Sequence, residues 1–410
     1  GAKTHESICP KGNQEMRKVA LNLQPLAGDH ITGIGTYARE VVRRLSRDLQ
    51  KGDYATIEGH VFDFLGRNKA EIMVRQHIET PKTKPFSVKT CKIMPLGLLI
   101  RMKKLGNIVP YHRLMKSDAD ITVFFNYLIP ASLKGPSIIT VYDMVCHRFP
   151  ETMDQRNRKL LTKHLPESCA KADLIMTISE FSKREIVDCL GIPEQKIRVA
   201  YCGVNTKIYT PLCDEIEFTE NEKRLARKWG VAEPFILYLG TLEPRKNVNT
   251  LITAFEKLKP DHPTLKLVLG GGLGWQYEPI LEQIAKSPYS EDIIRTGYLS
   301  ESDKIDLYHG ATVFAFPSLY EGFGMPVLEA MACGTPVVTS NSSSLPEVVG
   351  DAGVLLDPED ADGFAKAMGR FIDHEEDIEH INEKMALQVE KFSWNATTLA
   401  YGHGIFDVIQ

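Results

Sequence analysis

Ser318-Leu-Tyr-Glu-Gly-Phe-Gly-Met-Pro-Val-Leu-Glu-Ala-Met-Ala-Cys-Gly-Thr-Pro-Val-Val338 is the stretch that decides the fold. Apolar residues 312–316 lead into it as a strand. Gly322 and Gly324 make a turn, a helix is expected over 325–332, and a second strand over 336–339. Pro326 suits the first helical turn, where its missing N–H costs nothing. A strand, a tight turn, a helix and another strand form the repeating unit of a parallel, doubly wound α/β sheet.

The same alternation runs outward in both directions. Upstream, strands are expected at 235–239, 265–269 and 293–295, with helices at 247–258, 277–286 and 302–309. A polar stretch, 210–233, separates this run from a first series. Its strands are expected at 17–23, 60–65, 121–125, 137–142, 174–178 and 197–201, and its helices at 38–49, 155–170 and 180–190. The 410 residues exceed what one ordinary core organises. We therefore expect two Rossmann-like domains, 16–209 and 234–393, joined by a linker at 210–233. Residues 1–15 read as a tag or a disordered end, and 394–410 as a last helix.

The carbonyl-edge loops of such sheets bind ligands. In the turn at 321–329, Gly322 and Gly324 let backbone approach a ligand, and the helix start faces an anion. Glu321 and Glu329 could accept hydrogen bonds from paired hydroxyls; the alternative is two solvated glutamates. Gly240-Thr-Leu-Glu-Pro-Arg-Lys-Asn247 ends the strand at 235–239, where Arg245 and Lys246 would neutralise a diphosphate. Gly33-Ile-Gly35 precedes a helix but lacks the third glycine of a dinucleotide loop. Asp143 and His147 follow the strand at 137–142. Either could position or deprotonate a hydroxyl, or simply cap a helix and line a loop. No His/Cys metal spacing occurs.

The net charge of −4 hides an asymmetry. Residues 81–117 hold nine basic side chains and no acidic one, leaving 40 basic against 53 acidic elsewhere. Leu96, Leu98, Leu99, Ile100 and Ile108 are interleaved with Lys89, Arg101, Lys103, Lys104 and Arg113. Such a mixture suits an anionic membrane surface at 89–116, or an ordinary solvated face. Nucleic acid is not expected. The scattered cysteines and the lack of a visible signal peptide read as cytoplasmic, at the inner face of a membrane.

Residues 235–353 resemble glycosyltransferase family 4, the retaining nucleotide-sugar transferases of GT-B fold. The resemblance is carried by Leu239-Gly-Thr-Leu-Glu-Pro-Arg-Lys-Asn247, Gly297-Tyr-Leu299 and the run 318–338, whose Glu321 and Glu329 match the E-x7-E signature. Thr32–Tyr37, Ile178-Ser-Glu-Phe-Ser182 and Tyr201-Cys-Gly-Val-Asn205 extend it more loosely. The resemblance implies that Arg245 and Lys246 bind the donor diphosphate, Glu321 the transferred sugar and Glu329 the ribose. It also places Gly240, Thr241, Phe323, Gly324, Met325 and Val327 beside the phosphates or sugar, Tyr298 and Leu299 near the base, and Gly33 and Gly35 against the donor from the first domain. The helix at 394–410 is implied to cross back onto the first domain. The donor is expected to be GDP-mannose, with a UDP-sugar as the alternative; no cofactor or metal is required. The acceptor is expected to be a glycan or lipid-linked hydroxyl. One departure stands out: many members carry His-Asp where this chain has Tyr142-Asp143, so Asp143 keeps its place in the expected catalytic set and the histidine does not. Competing readings are an epimerase on the same fold, an NAD-dependent oxidoreductase suggested by Gly33-Ile-Gly35, and a non-catalytic partner of a transferase.

Overall fold

The computed structural model describes residues 8, 16–29, 31–64, 66, 68–79, 85–101, 109–232 and 234–410. The chain forms two compact units. Unit 1 comprises Gly1–His147, Gln155–Cys202 and Trp394–Gln410; unit 2 comprises Arg148–Asp154 and Gly203–Ser393. The short detour of Arg148–Asp154 into unit 2 is marked by no shift in composition. Within unit 2 it sets the Phe149 ring 5.4 Å from that of Tyr320.

Unit 1 is built on a parallel sheet of β1 (Arg17–Asn22), β2 (Ala55–Phe62), β3 (Ser87–Cys91), β4 (Ile121–Phe124), β5 (Ser137–Thr140), β6 (Leu174–Thr177) and β7 (Ile197–Val199). The spatial order is β3-β2-β1-β4-β5-β6-β7. Unit 2 repeats the plan with β8 (Phe235–Leu239), β9 (Lys266–Gly270), β10 (Ile293–Gly297), β11 (Val313–Phe316), β12 (Val337–Ser340) and β13 (Val354–Leu356), ordered β10-β9-β8-β11-β12-β13. Every described strand pair is parallel. The central strands are apolar on both faces, as helices on either side require. β8 and β11, for instance, are buried at every residue. The strand order reverses between β1 and β4 in unit 1 and between β8 and β11 in unit 2. Those two positions are where a doubly wound sheet opens a crevice at its carboxyl edge.

One expected strand is corrected here. The second strand spans Ala55–Phe62, not 60–65. Its acidic Glu58 interrupts the apolar run, yet it is buried. The helix Lys69–Ile78, whose buried Ala70, Val74 and Ile78 recur every fourth residue, and the edge strand Ser87–Cys91 are not among the expected elements.

Glu58 is buried because it has partners. His60 Nε2 lies 2.9 Å from Glu58 Oε1, Lys89 Nζ lies 2.8 Å from Oε2, and the Ser117 hydroxyl also donates to the carboxylate. His60 Nδ1 lies 3.1 Å from the phenol of Tyr111, which also meets Asn22 Nδ2 at 3.4 Å. Because an ionised carboxylate only accepts, the partners assign the proton of neutral His60 to Nε2 and let Tyr111 donate to Nδ1. Lys89 therefore belongs to this network and not to a solvated basic face. Lys92, Arg101, Arg113 and Lys116 are exposed, as are Ile93 and Leu98. Lys82, Lys84, Lys103, Lys104 and Ile108 lie outside the described residues.

The helix Trp394–Ile409 belongs to unit 1 and packs on the helix Gly33–Lys51. Tyr37 meets Trp394 and Tyr401 at ring distances of 5.7 and 6.2 Å, and Tyr401 Oη lies 2.7 Å from Thr140 Oγ1. Gly404 permits this approach, since a Cβ there would stand 2.7 Å from Leu174. Among the described residues no helix is long and apolar enough to cross a membrane.

The Glu58 network gives unit 1 a definite pH dependence. Burial lowers the pKa of His60, so its stabilising contribution is full above about 6.5 and fades as the pH falls. Burial alone would raise the Glu58 carboxyl, but the hydrogen bonds from His60, Lys89 and Ser117 bring it down to about 2. Its contribution is therefore full above the ordinary carboxylate range and is lost on further acidification. Urea titrations should show the unfolding midpoint falling steadily from pH 7 to pH 4. Glu58→Ala should cost about 1–3 kcal/mol at pH 7 by stranding its donors. It should keep the fall due to His60, whose pKa Glu58 raises, and abolish the further loss below the ordinary carboxylate range.

Candidate functional site

The carboxyl edge of β8 and β11 gathers the charged residues of unit 2. After β8 the chain turns through Glu243 into a short 3-10 helix, Pro244–Lys246, and Asn247 ends that turn at φ +54°. Asn247 tolerates the left-handed conformation by virtue of its short polar side chain, and its amide donates to the carbonyls of Pro317 and Pro358. These bonds tie the β8 loop to the loops that follow β11 and β13. Leu319 N donates to the Arg245 carbonyl at 2.9 Å, making a further tie.

Lys246 Nζ donates to Glu321 Oε1 at 2.6 Å, and Arg245 Nη1 stands 3.2 Å from Glu321 Oε2. Arg245 also donates to the Tyr320 carbonyl at 2.6 Å and to Glu243 Oε1 at 2.7 Å. The Lys246 ammonium sits 5.1 Å over the Phe316 ring. Glu321 is buried, and burial alone would raise its carboxyl. The charges of Lys246 and Arg245 prevail and hold it at about 2. It is therefore an anion at any working pH, able only to accept hydrogen bonds.

The turn after Glu321 is fixed from beneath. Ser343 Oγ accepts from Glu321 N, and Ser344 Oγ donates toward the Glu321 and Phe323 carbonyls. Gly324 caps the helix Met325–Ala332 at φ +105°, where a Cβ would also lie 2.7 Å from Leu345. Only glycine meets both demands.

Glu329 lies in that helix. Its Oε2 is 3.1 Å from Lys304 Nζ and 3.0 Å from Tyr308 Oη. Lys304 in turn stands 5.4 Å over the Tyr209 ring. Lys304, Tyr308, Tyr209 and Glu243 are absent from the expected site residues. Glu243 lies within the motif 240–247 but has no expected role there; the other three lie in no recognisable motif and are brought in by the helix Glu301–Gly310 or by the chain entering unit 2.

The other expected residues divide. Thr241 and Tyr298 are exposed, and Met325 is partly so. Leu299 is buried against Gly270, Phe323 is buried with its ring 5.4 Å from that of Phe392, and Val327 is fully buried with its N–H on the Gly324 carbonyl. The side chains of these three therefore serve packing. Gly240 lies at the carboxyl end of β8, where a Cβ would strike the Tyr238 hydroxyl. In unit 1, Gly33 is exposed at its helix start, whereas Gly35 is buried and a Cβ there would meet Ile31 at 2.7 Å. Asp143 accepts from Val145 N at 3.1 Å and from the Tyr127 phenol. Tyr142 points into the core and donates to the Phe125 carbonyl at 3.0 Å. His147 Nδ1 lies 3.1 Å from Cys146 Sγ. Among the described residues, no group of three or more His, Cys, Asp or Glu side chains is placed to hold a metal.

Comparison with known proteins agrees with this architecture. Residues 31–208 match the family Glycosyltransferase Family 4, and residues 220–387 match Glycosyl transferases group 1. The chain is 31% identical to the O-antigen chain mannosyltransferase B of Escherichia coli over 380 residues, 90% of this chain and 94% of that one. It is 29% identical over 245 residues to the MMP alpha-(1->4)-mannosyltransferase of Mycolicibacterium hassiacum, covering 58% of this chain and 53% of that one. Among solved structures, Anabaena HepE in complex with UDP-glucose superposes with a TM-score of 0.69 at 17% identity, over 95% of this chain and all of that one. Sucrose-phosphate synthase from Thermosynechococcus elongatus gives 0.68 at 20%, over 95% and 98%.

The ion pair makes a clear energetic prediction. Lys246→Ala or Glu321→Ala alone leaves a buried charge with fewer partners and should cost about 3 kcal/mol. Replacing both with apolar residues of similar size, Lys246→Met with Glu321→Leu, should recover most of that loss in a denaturant double-mutant cycle.

Proposed function

Given that the chain belongs to glycosyltransferase family 4 and has the GT-B fold, we propose that it transfers a sugar, with retention, from a nucleoside diphosphate donor to an acceptor hydroxyl in polysaccharide synthesis. Mannose from GDP-mannose is the proposed donor chemistry, in keeping with the two mannosyltransferases among its relatives. The observation that supports the reading best is the cluster of Arg245, Lys246 and Glu321 at the reversal point of the unit 2 sheet.

In this mechanism the bond between the anomeric carbon and the β-phosphate oxygen breaks. The acceptor oxygen bonds to the same face of that carbon, and its proton passes to the departing diphosphate. Arg245 and Lys246 stabilise the charge that grows on that diphosphate. Such preorganised cations supply the main electrostatic part of catalysis without a strong base. Glu321, fixed as an anion, accepts from hydroxyls of the transferred sugar. Glu329, oriented by Lys304 and Tyr308, accepts from the ribose. Asp143 takes the acceptor side, while Tyr142, turned into the core, contributes packing only. Exposed Ile93, Leu98, Lys92, Arg101 and Arg113 are proposed to meet an anionic membrane surface.

A screen of GDP-mannose, UDP-glucose, ADP-glucose and dTDP-glucose by thermal shift and turnover should single out GDP-mannose. A shift with UDP-glucose alone would move the donor assignment to uridine, and epimerised donor without transfer would replace transfer by epimerisation. With that donor, Lys246→Ala and the Lys246→Met, Glu321→Leu pair should each lower transfer about 10²–10³-fold. The paired variant does so while folded, so near-normal turnover from it would refute the site.

A further inference from the structure

Unit 1 has its own strand-order reversal, between β1 and β4. Ligands of doubly wound sheets bind outside the carboxyl ends at that point. Two residues beyond the end of β4 stands Asn126. Its Oδ1 is shielded from solvent and has no hydrogen-bond partner among the described residues. The residue as a whole remains partly exposed.

Ser132 Oγ, six residues on, is likewise shielded without a partner, but the residues beside Asn126 are not left in this state. Phe125 is fully buried, and its carbonyl takes the Tyr142 phenol. Tyr127 packs its ring 5.6 Å from Tyr142 and bonds Asp143. Ile129 N donates to Ser168 Oγ. A shielded amide oxygen without a donor costs about 1–3 kcal/mol, and an apolar side chain would avoid that cost. The fold makes no use of this amide.

We propose that Asn126 is an acceptor-binding residue, whose side-chain amide hydrogen bonds hydroxyl groups of a saccharide acceptor at the β1/β4 crevice of unit 1. The assignment rests on the transferase reading above. A saccharide suits the amide because each hydroxyl both donates and accepts. The broad sp²-type torsion at χ2 lets the amide turn either its oxygen or its NH2 toward the ligand. Tyr127 and Asp143, on the carboxyl ends of adjacent strands, put a phenol and a carboxylate in the same region.

The test uses the full chain with GDP-mannose as donor and α-mannobiose as acceptor. Asn126→Leu keeps the side chain's size while removing the amide. It should leave the ligand-free melting temperature equal or raised, because an orphaned polar atom is gone. The same variant should raise the acceptor KM about tenfold, well beyond any change in donor KM. Asn126→Ala should repeat the KM split. A melting temperature that falls by several degrees with an unchanged acceptor KM would show a structural amide satisfied by buried water, and would overturn the assignment. So would a loss confined to donor KM. A wild-type chain that turns over no nucleotide sugar would instead overturn the transferase reading, and the acceptor named here with it.

Discussion

The ion pair between Lys246 and Glu321 joins the two loops that flank the sheet reversal in unit 2. A buried carboxylate in isolation would take up a proton. Glu321 stays charged because Lys246 and Arg245 reach it from the neighbouring strand end. The local fold brings these charges together. Asn247 turns left-handed, Pro244–Lys246 forms a 3-10 turn, and Gly324 adopts φ +105°. The serines at 343 and 344 hold the Glu321 backbone. Together these features keep two opposite charges in contact out of water.

The same pair sets the electrostatic state before any ligand arrives. Glu243 and Glu321 together balance Arg245 and Lys246, so the crevice carries no large field of its own. Under the proposed function, a diphosphate entering it draws the cations partly away from their carboxylates, and sugar hydroxyls take the places on Glu321 that the cations give up. On that proposal, donor phosphate and donor sugar are read by one coupled set of charges.

Much of this was legible in the sequence, for reasons that can be stated residue by residue. The apolar strands of unit 2 and the Gly322/Gly324 turn announce themselves, because a buried parallel strand and a left-handed turn admit few residue types. Arg245, Lys246 and Glu321 stand at expected strand ends, and the fold brings them into contact. Lys304 and Tyr308 were illegible, since their partner Glu329 is reached only through the packing of one helix against another. The strand Ala55–Phe62 was misplaced because Glu58 looks like a surface residue until Lys89, 31 positions later, is seen to pair with it. The same pairing explains why a basic count along 81–117 overstated the solvated charge. Tyr142 shows the converse. Its position suggested a site, but its phenol bonds a carbonyl in the core.

Two polar groups in unit 1 define what separates scaffold from site. Asn22 on β1 is fully buried and is drawn into a network that runs through Tyr111 and His60 to Glu58, where every member has a partner. Such a network rigidifies the core and leaves nothing for a ligand. Asn126, just past β4 on the other side of the same reversal, has the same side chain and no such partner. The two asparagines flank the same reversal of the same sheet, Asn22 wholly buried and Asn126 partly exposed with its Oδ1 shielded. Of the two, Asn126 alone keeps an oxygen with no described partner, a local conflict of the kind that sequences retain at functional sites.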